Sequence, residues 1–163
     1  MDIPEDRGRG DDNTRMTNEK EITEMKYALS ARNQLEGAVT DVKEGAVNGI
    51  VTIDVNGTPV SATISVGSIR NLGIKPGVEA VAVIKATEVM VGKGELKLSA
   101  RNQFPGKVLE VEEGAVNGIV KMEVLGGNIM TATISMAAIS ELGLKPGVDA
   151  IAVVKATSVM VGI

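Results

Sequence analysis

Alternation of apolar and polar positions dominates this chain. In NGIVTIDVNG (48–57), Ile50, Thr52 and Asp54 fall on one side of an extended strand and Val51, Ile53 and Val55 on the other, the period of a half-buried strand. Asn56-Gly57 closes it, a pair that accepts the positive φ angles of a two-residue hairpin turn, and PVSATIS (59–65) reads as the returning strand. Upstream, LEGAVTDVKEG (35–45) alternates in part, with Ala38, Val39 and Val42 as core candidates. Past the hairpin the period changes: Val66, Ile69 and Leu72 recur three apart, one face of a short helix. Ser65 suits the N-cap of that helix and Gly73 the position just after its end. Pro76-Gly77 makes the next turn, and VEAVAVIKATEVMVG (78–92) reads as one long, nearly continuous apolar strand. The predicted order is β-β-β-β-α-β or close to it.

The same pattern then returns. SARNQ occurs at Ser30–Gln34 and Ser99–Gln103, and EGAVNGIV at Glu44–Val51 and Glu113–Val120, both 69 residues apart. KPGVEAVAVIKATEVMVG (75–92) comes back as KPGVDAIAVVKATSVMVG (145–162), now 70 apart. The extra residue falls between DVNGTPV (54–60) and EVLGGNIM (123–130), both hairpin turns by their composition, where an insertion costs little. Two copies of one unit of about 65–70 residues therefore organise the chain. The boundaries read as a tail over 1–25, a first domain over 26–98 and a second over 99–163. The tail is polar and without period, as in a disordered or appended segment. Such small units have marginal cores, and only VGKGELKL (91–98) joins them. They are expected to pack closely or share a strand, and the chain to oligomerise. The predicted class is all-β with one short helix per unit, as two tandem OB-like five-stranded antiparallel barrels.

Composition narrows the chemistry. The chain has 163 residues, 44% of them hydrophobic, with one Tyr, one Phe, no Trp, no Cys and no His. Its net charge of −4 offers no general attraction to nucleic acid or to an anionic membrane, and single-strand binding by an OB-type barrel needs a basic groove and stacking aromatics that are lacking. No apolar run reaches membrane-spanning length, and the start of the chain lacks the apolar stretch of a signal peptide. A cytoplasmic protein is expected, with no membrane or nucleic-acid partner. Without His or Cys, metal binding would fall to carboxylates, which are not clustered at ligand spacing, so no metal site is expected. No phosphate loop, dinucleotide motif or nucleophile elbow is present, and no enzyme activity is predicted. A DNA-reading regulator or a transporter ATPase would need elements that the 25-residue tail cannot hold.

What repeats is a set of anion-friendly donors. Ser30 and Arg32 offer a hydroxyl and a guanidinium fork. Lys85 offers an ammonium with Thr87 two residues on, and Ser65 and Ser68 flank the helix start. The second unit has Ser99, Arg101, Lys155, Thr157 and Ser135, with Ala138 in place of Ser68. Each also has a plain reading: a serine as a cap, a lysine as a solvated charge, an arginine paired with a carboxylate such as Glu36. The residues alone leave a binding site and a structural oligomerisation module both open.

SARNQLEGAVTDVKEGAVNGIV, the TIS strand end, LGIKPG and VIKATEVMVG resemble the molbindin (Mop) family, kin of the TOBE domain, over nearly all of 25–163. Two such units resemble the di-Mop molbindins, cytoplasmic proteins that bind molybdate and, similarly, tungstate, and a role in molybdenum storage or homeostasis is the expectation for this chain. The resemblance implies a homotrimer of two-domain subunits with oxyanions, not organic cofactors, held at interfaces between domains. It carries site roles onto Ser30, Arg32 and Lys85, onto Ser99, Arg101 and Lys155, and onto the helix-start residues Ser65, Ser68 and Ser135. Backbone N–H groups of Ala31, Ala86, Ala100 and Ala156 are expected to contribute, and Asn48 and Asn117 are candidates for sites near a symmetry axis. Ala138 lacks the hydroxyl, which implies a weaker or altered site there.

Overall fold

A computed structural model describes residues 28–163; the tail expected over 1–25 lies outside the described residues. The first repeat runs β1 (Asn33–Glu44), β2 (Asn48–Val55), β3 (Thr58–Ser65), α1 (Val66–Asn71), β4 (Glu79–Ile84), a 3-10 turn (Ala86–Glu88) and β5 (Met90–Gly92). The second repeats it as β6 (Asn102–Glu112), β7 (Asn117–Val124), β8 (Asn128–Ser135), α2 (Met136–Glu141), β9 (Asp149–Val154), a 3-10 turn (Ala156–Ser158) and β10 (Met160–Gly162). All strand pairs are antiparallel.

Most local signals translate directly. Val51, Ile53 and Val55 are buried while Ile50, Thr52 and Asp54 are half-exposed. Asn56 and Gly57 form the two-residue turn with φ of 50° and 86°. The extra residue of the second repeat sits where expected, in the three-residue loop Leu125-Gly126-Gly127. Ser65 caps α1 by accepting from the Ser68 N–H at 3.0 Å. Past Leu72, Gly73 turns left-handed at φ 63°. There Gly73 N donates to Arg70 O at 3.2 Å and Ile74 N to Ile69 O at 3.0 Å, the paired bonds of a Schellman close.

Three expectations change. Only three strands precede each helix, and two follow it. The stretch 78–92 is not one strand: it leaves the sheet at Lys85, turns through Ala86–Glu88 and resumes at Met90. Lys85, Thr87 and Glu88, exposed around the buried Ala86, are where an otherwise apolar segment tolerates the crossing. Ala38 faces solvent, because Asn33, Leu35 and Val39 share the inward phase of β1. A β-bulge between Val39 and Asp41 then shifts the phase, so Val42, three residues on, turns inward as well.

The crossing at Lys85 has a large consequence. The sheet orders are β10-β4-β1-β2-β3 and β5-β9-β6-β7-β8. Each repeat therefore gives its last strand to the other's sheet, with Met160 opposite Val83 and Met90 opposite Val153. The exchanged strand lies near the far edge of the sheet it joins, β10 near β3 and β5 near β8, which curls each sheet into an open barrel. Core residues of both repeats, Leu35, Ile53 and Val60 with Phe104, Met122 and Met130, belong to one continuous apolar cluster. The burial that one small unit lacks comes from its neighbour. No helix among the described residues is long and apolar enough to cross a membrane.

Candidate functional site

The SARNQ segments lead into β1 and β6. Their arginines, Arg32 and Arg101, are exposed, whereas the next residues, Asn33 and Asn102, are each 1% exposed. In the β1–β4 ladder Asn33 stands opposite Ile84; one step further out, the same register sets Arg32 opposite Lys85. In the β6–β9 ladder Asn102 stands opposite Val154, which likewise sets Arg101 opposite Lys155. In each repeat an exposed arginine and an exposed lysine thus flank the end of the ladder where the chain begins its crossing. Among the described residues, none of these four cations is in an ion pair, and Arg32 does not pair with Glu36. Two adjacent positive charges without a carboxylate repel each other unless an anion sits between them.

The neighbouring backbone is fixed by side-chain amides. Gln34 Nε2 donates to Ala31 O at 3.2 Å, and Gln103 Nε2 donates to Ala100 O at 3.0 Å and Leu98 O at 3.2 Å. Lys85 and Lys155 are extended, and the buried Ala86 and Ala156 begin the 3-10 turns that follow. The first N–H groups of such a turn lie ahead of its first internal bond and are available to other acceptors. Ser30 and Ser99 are exposed, two residues before their arginines.

The helix-start hydroxyls form a second group. Ser65 Oγ donates to Ser68 Oγ at 2.8 Å. In the second repeat Ser135 Oγ accepts from Ala138 N at 3.1 Å, and no second hydroxyl is present. Asn48 and Asn117 are exposed at the turns entering β2 and β7. The register of the ladders places Arg32 across from Lys85 and Arg101 across from Lys155 just past the last paired residues, and Ser65 is bonded to Ser68. Among the described residues, no hydrogen bond or ion pair joins the cations to the helix-start serines or to Asn48 and Asn117.

The asparagines of SARNQ are the residues that sequence reasoning passed over. Asn33 Nδ2 donates to Thr131 O at 2.9 Å while Thr131 N donates to Asn33 Oδ1 at 2.7 Å. Asn102 does the same to Ser61, 2.8 Å in each direction. Thr131 and Ser61 lie on β8 and β3, the edge strands of the two sheets. Each amide side chain thus completes one residue of the opposite repeat's edge as another strand would. Removing it would orphan a buried N–H and C=O at Thr131, at about 1–3 kcal/mol per group, and a part-buried pair at Ser61. A signal was available: Asn33 has the inward phase of Leu35 and Val39, where a polar residue must find partners.

Residues 29–91 and 98–161 each match the TOBE domain family. A solved structure of the cytoplasmic molybdate-binding protein ModG, with molybdate bound, superposes with a TM-score of 0.82 at 41% identity, covering 84% of this chain and 99% of that one. The molybdenum transport protein ModE of Herbaspirillum seropedicae is 37% identical over 145 residues, 87% of this chain and 54% of that protein. A probable molybdenum-pterin-binding protein of Haemophilus influenzae is 53% identical over 68 residues, 42% of this chain and 99% of that protein. The chain spans about half the length of its ModE relatives, whereas the Haemophilus protein corresponds to a single repeat. The chain belongs to the TOBE domain family and carries two TOBE domains in tandem.

Proposed function

We propose that this chain is a binding protein for molybdate, and for tungstate by the same chemistry, acting in cytoplasmic storage and homeostasis of the oxyanion. Molybdate is a tetrahedral dianion with four acceptor oxygens. It calls for two positive charges and several fixed donors, and needs no metal–protein bond. Arg32 with Lys85, and Arg101 with Lys155, each match that charge; Ser30 and Ser99, with the amides of Ala31, Ala86, Ala100 and Ala156, supply donors around them. The observation that carries the reading is the register, continued one step past its last pairs, that sets an arginine opposite a lysine in both repeats, with none of the four in an ion pair among the described residues. The relation to the molybdate-bound ModG structure supports it. Charge-assisted hydrogen bonds of about 1.5–3 kcal/mol each add to micromolar or tighter affinity.

The remaining donors come from a second copy of the chain in a homotrimer. Ser65, Ser68 and Ser135 are solvent-accessible and, among the described residues, hydrogen-bonded to no cation, so they serve the cation pairs of neighbouring subunits. Val47 and Val116, each 74% exposed at the tips of the GAVNG turns beside Asn48 and Asn117, are apolar surface that assembly would cover. A ligand bound only by the assembled form stabilises it by mass action. Calorimetric titration with molybdate, tungstate, sulfate and phosphate tests the reading, alongside the mass in solution with and without ligand. Heat with molybdate and tungstate is the expected result; a folded protein that gives none with molybdate overturns it.

A further inference from the structure

We infer that Asn33 and Asn102 are positioning residues for oxyanion binding: each pins the cation pair beside it to the edge strand of the opposite repeat. The inference rests on the oxyanion reading of those pairs. Arg32 and Lys85 stand one step beyond the last paired residues of β1 and β4, at a ladder end, where backbone bonds open most easily. Both side chains are exposed and, among the described residues, neither is in an ion pair. What ties this end down across the molecule is the amide of Asn33, held head-on to both polar groups of Thr131 at 2.9 and 2.7 Å. Asn102 ties Arg101 and Lys155 to Ser61 in the same way.

The strands reached by these amides matter as well. β8 continues from Thr131 to Ser135, and β3 from Ser61 to Ser65, the serines that cap the two short helices. One amide therefore holds a cation pair and, along four residues of strand, a helix-start serine in one rigid frame. A site that draws its cations and its hydroxyls from different domains depends on such frames, since small displacements of fixed donors cost much of their binding energy. The 3-10 turns reinforce the arrangement: the one at Ala156–Ser158 packs against β3 and the one at Ala86–Glu88 against β8. Ser158 Oγ donates to Glu88 Oε2 at 3.1 Å between them.

The test separates positioning from stability. Asn33→Ala and Asn102→Ala are titrated with molybdate beside the parent and beside Ile53→Ala, a buried core truncation that takes no part in these hydrogen bonds, and all are melted without ligand. Each asparagine variant is expected to lose roughly 10-fold in molybdate affinity, as when groups that orient direct ligands are removed. Ile53→Ala should lower the melting temperature as much while its affinity stays within about two-fold of the parent, as expected for an independent site. Hydrogen exchange at the Thr131 amide should accelerate in Asn33→Ala and not in Asn102→Ala. If an alanine variant does not fold, Asn33→Ser and Asn102→Ser, which keep one hydrogen-bonding group, carry the same comparison. Asparagine variants that melt lower yet bind molybdate like the parent overturn the positioning role alone. A folded parent that ignores molybdate overturns the oxyanion reading and this inference with it.

Discussion

The first and second repeats share one backbone plan and differ in what they put on it. The inner positions have traded volume: Leu35, Ile53 and Val60 of the first correspond to Phe104, Met122 and Met130 of the second, all buried. The helix end has traded charge. Lys43 and Arg70 of the first correspond to Glu112 and Ser140, and the exposed Arg70–Glu44 pair at 3.5 Å has no counterpart. Ser68 corresponds to Ala138. Against this drift, SARNQ, the lysine–alanine pair and the asparagine latches are the same in both copies. The core tolerates exchange because one apolar cluster serves both repeats and can redistribute volume. The cation pair and its amide do not, because each bond there has one geometry.

The sharpest way to break the comparison is through the arginines. Arg32→Ala and Arg101→Ala should each cost about 1.5–3 kcal/mol of molybdate binding, about 10- to 150-fold, with the melting temperature nearly unchanged. Calorimetry checks this, and equal losses for the two variants would show that the repeats bind alike. Next come Gly37→Ala and Gly106→Ala. An added methyl would overlap the carbonyl oxygen of Asp54 in the first repeat and of Glu123 in the second. Both variants should lose roughly 1–3 kcal/mol of stability or more in denaturant titrations, equally in both repeats. Ser65→Ala and Ser135→Ala each remove a cap, at about 1 kcal/mol on thermal unfolding. Ala138→Ser should leave stability unchanged and tighten the weaker class of sites, visible as calorimetric isotherms that merge. The smallest effect is Arg70→Ser, which copies the second repeat. An exposed pair is worth roughly 0.2–1 kcal/mol at most, and the difference should fade with added salt.

Legibility follows locality. The hairpin at Asn56-Gly57, the Ser65 cap, the Schellman close at Gly73 and the inward face of β2 are decided by neighbours within a few residues, and each is as the sequence predicts. Ala38, Val39 and Val42 cannot all face inward on a regular strand; the bulge after Val39 turns Val42 inward and leaves Ala38 outside, and it depends on how β1 pairs with β2, which β1 alone does not state. The donors of the candidate site were visible as residue types. Their pairing was not, since the register that sets Arg32 opposite Lys85 belongs to two strands far apart in sequence. Asn33 was legible as an inward-facing polar residue, yet its partner Thr131 lies 98 residues away in the other repeat.

By itself the sequence determined that this protein is a duplication of a short-stranded unit, where the turns and helix caps fall, and which cations and hydroxyls recur. These follow from side-chain period, backbone preferences and copy number, all written locally. Which sheet each final strand joins was decided only in three dimensions. VMVG at 89–92 and VMVG at 159–162 are identical, and the strands that receive them, EAVAVI and DAIAVV, differ only in conservative exchanges. Side-chain pairing cannot distinguish own from exchanged partners in such a pair. The choice falls to the route out of the sheet at Lys85 and Lys155, to the core both repeats share, and to the two asparagines that each complete the other repeat's edge.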